Sequence, residues 1–137
     1  MIVLDTNVVS VLMGSTSHPA ATSWLDRQVA ASIYITAITR AEVRYGIARL
    51  PPGRRRTAYE HAADRFFGTQ SDRTLDFDAV AADAYGVLVA ERERLGRPIG
   101  VADAQIAAIA LARGAAVATR DVGGFDRTGV KVIDPFA

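Results

Sequence analysis

Short apolar runs alternate along the chain with longer stretches in which apolar residues recur every three or four positions. The short runs predict buried β-strands, and the longer stretches predict amphipathic helices. The predicted strands cover residues 1–4, 32–36, 74–77, 116–119 and 130–133. The predicted helices cover residues 8–13, a segment that begins near Pro19, a segment from Thr39 to the Pro51-Pro52 pair, and residues 54–67, 79–95 and 101–113. Strands separated by helices predict an α/β fold, with a parallel sheet of four to five strands and helices on both faces.

Several helix boundaries have local signals of their own. Pro19 suits the first turn of a helix, where its missing N–H costs nothing. Asp78 is placed to cap the helix over residues 79–95, which Gly96 closes and Pro98 follows. These signals support the division into helices independently of the apolar pattern.

Composition narrows the class of protein. A chain of 137 residues can bury a core without disulfides, so we expect a single domain over residues 1–137. The absence of cysteine excludes disulfides, thiolate catalysis and cysteine-bound zinc. Neither a signal peptide nor a run of roughly 20 apolar residues is present, so we expect a cytoplasmic protein without membrane contact. With a net charge of +1, any binding of nucleic acid must come from a local patch.

Four acidic residues have positions that would bring them to one edge of the predicted sheet. Asp5 and Asp121 each come shortly after an apolar strand. Glu42 lies near the start of the helix after the second strand, and Asp103 lies in the first turn of the helix before the strand that precedes Asp121. The C-terminal ends of parallel strands share an edge, which is where ligands bind in such sheets.

Each acid taken alone also has an ordinary structural explanation. Asp5 could cap the first helix, and Asp103 could favour its helix dipole. Glu42 could face solvent, and Asp121 could belong to a turn. Their convergence favours a bound cation, because neighbouring carboxylates raise one another's pKa unless a positive charge lies among them. Oxygen ligands point to Mg²⁺, with Mn²⁺ as a substitute, and such an ion supports hydrolysis of a phosphodiester bond.

Four segments carry a more specific resemblance: "MIVLDTNVVS", "ITAITRAEVRYGIARLP", "GRPIGVADAQIAAIALARG" and "AVATRDVGGFDRTGVKVIDP". In this order and spacing they resemble the PIN-domain ribonucleases, and among these the FitB-like branch of the VapC toxins. The resemblance covers nearly the whole chain and is weakest from about residue 54 to residue 73. It implies a PIN-like three-layer sandwich and Mg²⁺-dependent endoribonuclease activity on RNA. It also implies a homodimer, neutralisation by a VapB-type antitoxin in a hetero-oligomer, and contact with DNA only through that antitoxin.

Carried over position by position, the resemblance implies a set of catalytic acids: Asp5 of "LDTN", Glu42 of "RAEV", Asp103 of "VADAQIA" and Asp121 of "TRD". It implies that Asp5 and Asp103 bind the metal directly, whereas Glu42 and Asp121 bind it directly or through water. Thr6 and Thr119 match polar positions that support the carboxylates or a bound water.

The chain departs from this pattern after its fourth strand. Many relatives read "TRNxxDF", with asparagine at the position of Asp121 and aspartate at the position of Gly124. The acid therefore sits three positions earlier in this chain, although family members with "TRD" also exist. Whether Asp121 contacts the metal directly, contacts it through water or only adjusts the charge of the site stays open at this point.

Three arginines lie close in sequence to the predicted acids: Arg40, Arg44 and Arg120. They could bind RNA phosphates through their planar donor groups, or they could balance the charge of the acids. The sequence favours neither role over the other. In addition, six apolar side chains of the early helices could line a groove for an antitoxin helix, although core packing is the commoner role for each aromatic taken singly: Trp24, Leu25, Tyr45, Ile47, Phe66 and Phe67.

Two other functions compete with a ribonuclease toxin. The chain could act with its antitoxin as a DNA-bound autorepressor whose acid site is weak, although it has no helix-turn-helix or basic arm of its own. It could also be an aspartyl-phosphate receiver or phosphatase on a similar sheet. That function is disfavoured, because Asp5 has no second aspartate beside it and no lysine accompanies the acids on a late strand.

Overall fold

The computed structural model describes residues 1–14 and 17–137, which form five strands and six α-helices. The strands are β1 Ile2–Leu4, β2 Ile33–Thr36, β3 Thr74–Leu75, β4 Ala116–Ala118 and β5 Val132–Ile133. The helices are α1 Thr6–Leu12, α2 Pro19–Asp26, α3 Ala37–Ala48, α4 Arg54–Thr69, α5 Ala79–Arg94 and α6 Val101–Ala112. The predicted α/β class is confirmed, and the sheet has five strands where four to five were predicted.

The sheet is parallel throughout, with strand order β3-β2-β1-β4-β5. Ile2 of β1 pairs with Ile33 of β2 on one side and with Ala116 of β4 on the other. The chain therefore builds outward from β1 in one direction and later returns to its other side. Ligands in open α/β sheets bind beyond the strand ends where the order reverses in this way, which here is between β1 and β4.

Alternate residues of the central strands face two separate cores. Val3 and Val117 pack with α5 and α6 on one face of the sheet. Leu4 and Ala118 pack with α1, α3 and α4 on the other face. This period of two is what the pleat of a strand imposes, and it places helices on both sides of the sheet. The predicted three-layer sandwich is thus confirmed.

Two helices begin two residues earlier than the apolar pattern predicts, because side chains at strand ends cap them. Helix α1 begins at Thr6 with Asp5 as its N-cap. Helix α3 begins at Ala37, and its N-cap Thr36 accepts the N–H of Thr39 on its hydroxyl at 3.1 Å. The predicted cap of α5 is confirmed, since Asp78 Oδ1 accepts the N–H of Ala81 at 3.0 Å.

The two edge strands, β3 and β5, are shorter than predicted, with two residues each. Short edge strands expose few unpaired backbone groups to other chains. None of the helices in the described part of the chain has the length and apolar character needed to cross a membrane.

Candidate metal centre

Asp5 lies at the middle of the sheet edge, directly after β1, and is only 4% exposed. Its Oδ2 accepts the hydroxyl of Thr119 at 2.7 Å and the side-chain amide of Asn7 at 3.2 Å. Its Oδ1 accepts the N–H of Thr6 at 2.8 Å. The residue is also the N-cap of α1, so the structural role and the predicted role as a ligand fall on one carboxylate. These contacts fix its direction.

Glu42 projects from α3 towards the same edge and is tied to it by Thr6. The hydroxyl of Thr6 donates to Glu42 Oε1 at 2.6 Å and lies 3.0 Å from the hydroxyl of Thr39. Thr36, the last residue of β2, caps α3 and so sets the position of its first turns. Glu42 is exposed, as the structural explanation expected, but its carboxylate is held next to the residue that follows Asp5.

Asp103 lies in the first turn of α6 and is half-buried. The pKa of its carboxyl is raised to about 6, first by burial and then by the negative charges of the other three acids. Among the residues that the structure describes, none donates a hydrogen bond to its side chain. Asp103 is therefore the acid whose charge is least compensated.

Asp121 follows β4 on an exposed loop, and its carboxylate turns back onto that loop. Its Oδ1 accepts the N–H of Gly124 at 3.0 Å. Its own N–H donates to the hydroxyl of Thr119 at 3.0 Å, the same hydroxyl that donates to Asp5. Thr119 thus connects the residues at the ends of β1 and β4, as its predicted supporting role requires.

The four acids form one electrostatic unit, which has no ion-pair partner in the part of the chain that the structure describes. Burial raises the pKa of Asp5, hydrogen bonds from Thr119 and Thr6 lower it, and the charges of Glu42 and Asp121 raise it, with a net upward shift. Within residues 1–14 and 17–137, no arginine or lysine forms an ion pair with any of the four. The site therefore concentrates negative charge where water is partly excluded.

Known proteins resemble this chain over nearly its whole length. The sequence model of the PIN domain matches residues 2–131. This chain belongs to the PIN-domain family. It is 41% identical over 137 residues to a VapC ribonuclease of Sinorhizobium fredii, an alignment that covers 99% of this chain and 98% of the relative. It is 34% identical to toxin FitB of Neisseria gonorrhoeae over 99% of both chains. The solved structure of FitAB bound to a DNA fragment matches with a TM-score of 0.93 and 34% identity, over 100% of this chain and 96% of that chain.

The donor atoms of this PIN domain fit a hard divalent cation, although the side chains do not form a closed cage. In the described part of the chain, no three histidine, aspartate and glutamate side chains stand close enough together to hold a metal ion as they are placed. All four acids nevertheless offer carboxylate oxygens, the ligands that Mg²⁺ and Mn²⁺ prefer. The raised pKa values of Asp5 and Asp103 mean that a positive charge beside them would be favourable. These two remain the predicted direct ligands.

Two of the predicted RNA-binding arginines lie on α3 against α4. Arg44 forms an ion pair with Asp64, with Nη2 and Oδ1 2.8 Å apart. The guanidinium groups of Arg40 and Arg44 lie over the ring of Phe67, 5.0 and 5.2 Å from its centroid. Both side chains thus already have protein partners in the PIN domain.

Arg120 lies differently, at the sheet edge between Thr119 and Asp121. Its guanidinium lies 4.0 Å from the ring centroid of Phe136, and its Nη2 is 3.1 Å from Nδ1 of His18. Its N–H donates to Oδ1 of Asn7 at 3.2 Å. Of the three arginines, this is the one next to the acids.

Asn7 is a site residue that the sequence reasoning missed. Its side-chain nitrogen lies 3.2 Å from both Asp5 Oδ2 and Thr119 Oγ1, and its oxygen accepts the N–H of Arg120. The signal was its place two residues after Asp5, because an amide at a strand end can donate to one strand and accept from the next.

The only lysine, Lys131, lies away from the acids. It precedes β5, and its carbonyl accepts the N–H of Val117 at 2.8 Å, at the beginning of the strands rather than at their ends. The opposite edge of the sheet therefore carries the lysine, which argues against a receiver or phosphatase site built with it.

Proposed function

We propose that this PIN domain is a divalent-metal-dependent endoribonuclease that hydrolyses RNA phosphodiester bonds. The observation that carries the proposal is the half-buried Asp103, whose pKa is raised to about 6 by burial and by three neighbouring acids. A half-buried acid among like charges at the ends of parallel strands is typical of functional sites. The 41% identity to a VapC ribonuclease supports RNA as the substrate.

In this proposal Asp5 and Asp103 hold Mg²⁺, and Glu42 and Asp121 act directly or through water. The bound ion would polarise a phosphodiester oxygen and lower the pKa of a water molecule. The chain's own hydrogen bonds orient the acids: Thr119 and Asn7 donate to Asp5, and Thr6 donates to Glu42. Such outer contacts restrict the carboxylates to orientations that suit a ligand.

The proposal is tested by incubating the purified chain with RNA in Mg²⁺, Mn²⁺ and excess EDTA. We expect cleavage with either ion and none with EDTA. Asp5→Ala and Asp103→Ala should abolish cleavage while circular dichroism shows the same helix content. The control is Asp83→Ala, which removes an exposed aspartate of α5 and should cleave normally. Cleavage by both site variants, or full activity in EDTA, would refute the proposal.

We further propose that the chain is the toxin of a toxin–antitoxin pair and binds its antitoxin in a groove between α1, α3 and α4. Thr6 and Glu42 are polar residues that line the groove. The rest of its lining is mainly apolar: Met13, Val43, Ile47, Leu50 and Tyr59. An amphipathic helix suits such a surface. Of the residues predicted to line it, Ile47 does so, whereas Phe67 is 2% exposed and belongs to the core.

A glycine in the groove offers a test of this surface. A Cβ atom at Gly46 would meet no atom within 4 Å, so the side chain of Gly46→Arg would start in open space beside the groove, and circular dichroism checks that the fold is kept. We expect it to weaken binding of the cognate antitoxin at least tenfold. Gly86→Arg on α5 is the matched control, since Gly86 is exposed and equally unobstructed. Equal binding by both variants would place the antitoxin elsewhere.

The predicted homodimer has a separate test, which is the mass of the purified chain in solution.

The similarity to FitAB bound to DNA favours a second role, in which the toxin–antitoxin complex binds DNA through the antitoxin. The chain's net charge of +1 gives it little attraction of its own for DNA. A gel-shift assay with the promoter of its own gene should show binding by the complex and none by the isolated chain. Binding by the isolated chain would contradict this division of roles.

A further inference from the structure

The loop after β4 holds a carboxylate in the space where a side chain would otherwise be. A Cβ atom built on Gly124 would lie 2.2 Å from Oδ2 of Asp121, 2.6 Å from its Cγ and 3.0 Å from its Oδ1. Gly124 does not have a positive φ, so its backbone conformation is open to other residues. What this glycine provides is therefore empty volume, and the Asp121 carboxylate fills it.

The backbone of this loop is held in place from below by Arg92. Arg92 is 4% exposed, and its Nη1 donates to the carbonyls of Gly124 at 2.9 Å and Asp126 at 2.5 Å. Phe125, between them in the chain, is fully buried. These contacts hold the backbone on both sides of Gly124, so moving the loop away from a new side chain at position 124 would break buried hydrogen bonds. The Asp121 carboxylate would have to rotate instead.

The present orientation of Asp121 depends on two hydrogen bonds. The N–H of Gly124 donates to its Oδ1 at 3.0 Å, and its own N–H donates to Thr119 Oγ1 at 3.0 Å. In this orientation its charge acts on both Asp5 and Asp103. A rotation away from Gly124 would break the first of these bonds and change the distance to the other acids.

We propose that Gly124 is a positioning residue: its lack of a side chain holds the Asp121 carboxylate against the loop, and position 121 thereby supplies the fourth acid of the site. The consequence for metal binding rests on the proposed function. The consequence for the direction of Asp121 does not, because it follows from the contacts alone.

The experiment uses the full chain and a matched pair of substitutions in one loop. Gly124→Ala introduces the clash, whereas Gly123→Ala adds the same methyl group where no atom lies within 4 Å. The first readout is the χ1 rotamer of Asp121, from NMR couplings between Hα and Hβ in the metal-free protein. The second is the Kd for Mn²⁺ from calorimetry, with Asp121→Asn as the reference for a lost carboxylate.

We expect Gly124→Ala to change the Asp121 rotamer and to raise the Kd for Mn²⁺ about tenfold, as loss of an outer contact to a metal site does. Gly123→Ala should leave the rotamer unchanged and the Kd within about twofold. The exchange variant D121G/G124D returns an acid to the same volume and should bind Mn²⁺ more tightly than D121G. An unchanged rotamer in Gly124→Ala would overturn the inference.

Different results would contradict the role of Asp121 in metal binding and the role of Gly124 in positioning Asp121. If the rotamer changes but Asp121→Asn binds Mn²⁺ as the wild type does, Asp121 has no part in the metal site and the metal half of the inference is wrong. If the wild type binds no Mn²⁺, the proposed function is wrong, and the rotamer alone decides whether Gly124 positions Asp121.

Discussion

Asp5 and Arg92 are both 4% exposed, yet the groups that surround the two charges differ. The guanidinium of Arg92 donates to the backbone carbonyls of Arg97, Gly124 and Asp126 and lies among neutral acceptors. Asp5 accepts hydrogen bonds but also lies within range of three further negative charges. The two side chains are equally buried, but only Asp5 lies among charges of its own sign.

The difference distinguishes a charge with a structural role from one that we propose to be functional. Three backbone carbonyls accept the N–H groups on Nε and Nη1 of Arg92, so this buried charge has hydrogen-bond partners within the protein. The charges of the neighbouring acids raise the pKa of Asp5 and of Asp103, so a positive charge beside these two carboxylates would be favourable. A buried charge that repels its neighbours is thus a better sign of a ligand site than burial alone.

The largest expected effect is the loss of RNA cleavage when the charge of Asp5 is removed. Asp5→Asn keeps the shape of the side chain but removes its charge, so RNA cleavage should fall by far more than the roughly 10- to 100-fold loss typical of an outer-shell change. The measurement is the initial cleavage rate in Mg²⁺, with Asp83→Asn as the control. A loss smaller than tenfold would show that Asp5 is not a metal ligand.

The structural charge should instead affect stability. Arg92→Met removes the donors to three backbone carbonyls, so the free energy of unfolding should fall by at least about 3 kcal/mol, since each unpaired group costs about 1–3 kcal/mol. Urea denaturation measures the change. Arg94→Met, which removes an exposed arginine of the same helix, should unfold like the wild type. Equal stability of the two variants would contradict the anchoring role of Arg92.

Removal of the Asp103 charge should raise the free energy of unfolding of the metal-free chain rather than lower it. Its pKa is raised from 3.8 to about 6 on folding, so the metal-free folded chain binds more protons than the unfolded chain between these values. The free energy of unfolding therefore falls as the pH rises from about 4 to about 6. Above that range the ionised Asp103 carboxylate destabilises the metal-free chain by its full amount. The shift corresponds to about 3 kcal/mol, and solvent screening of the half-exposed carboxylate reduces it, so we expect Asp103→Asn to stabilise the metal-free chain by about 2 kcal/mol at most at pH 7.5 and hardly at all at pH 4. Denaturation curves at both pH values measure this, and no gain at pH 7.5 would contradict the repulsion among the acids.

The smallest effect concerns the arginines beside the acids. Arg120 has no ion-pair partner in the described part of the chain, whereas Arg44 is already paired with Asp64. If Arg120 binds an RNA phosphate, Arg120→Ala should raise KM about tenfold, the value of one charged hydrogen bond. Arg44→Ala should change KM much less. A larger effect from Arg44 would move the RNA path onto α3.

The sequence predicts the parts of the site that depend on local pattern. The apolar run before Asp5 ends abruptly at the acid, which marks both a strand end and a candidate ligand, and Asp78 caps α5 as expected. The starts of α1 and α3 were predicted late, because polar residues at strand ends, Asp5 and Thr36, cap helices that the apolar period does not reach.

Contacts between distant segments could not be predicted in this way. Arg92 looks like an ordinary surface arginine of a helix, and only the fold brings it to carbonyls 32 and 34 residues away. In the same way, Gly124 reads as part of a flexible glycine pair until the Asp121 carboxylate is seen in its empty volume. Both residues act through volume and backbone groups, which no spacing of side-chain types reveals.

Calorimetric titration of the metal-free chain with Mn²⁺ at pH 7.5, for the wild type and Asp103→Asn side by side, tests the central claim most directly. Because the acids repel one another until a cation neutralises them, the wild type should bind Mn²⁺ and Asp103→Asn should bind it at least tenfold more weakly, even though that variant is the more stable protein without metal. Equal Mn²⁺ affinity in the two proteins, or no binding by the wild type, would contradict a metal centre at this edge of the sheet.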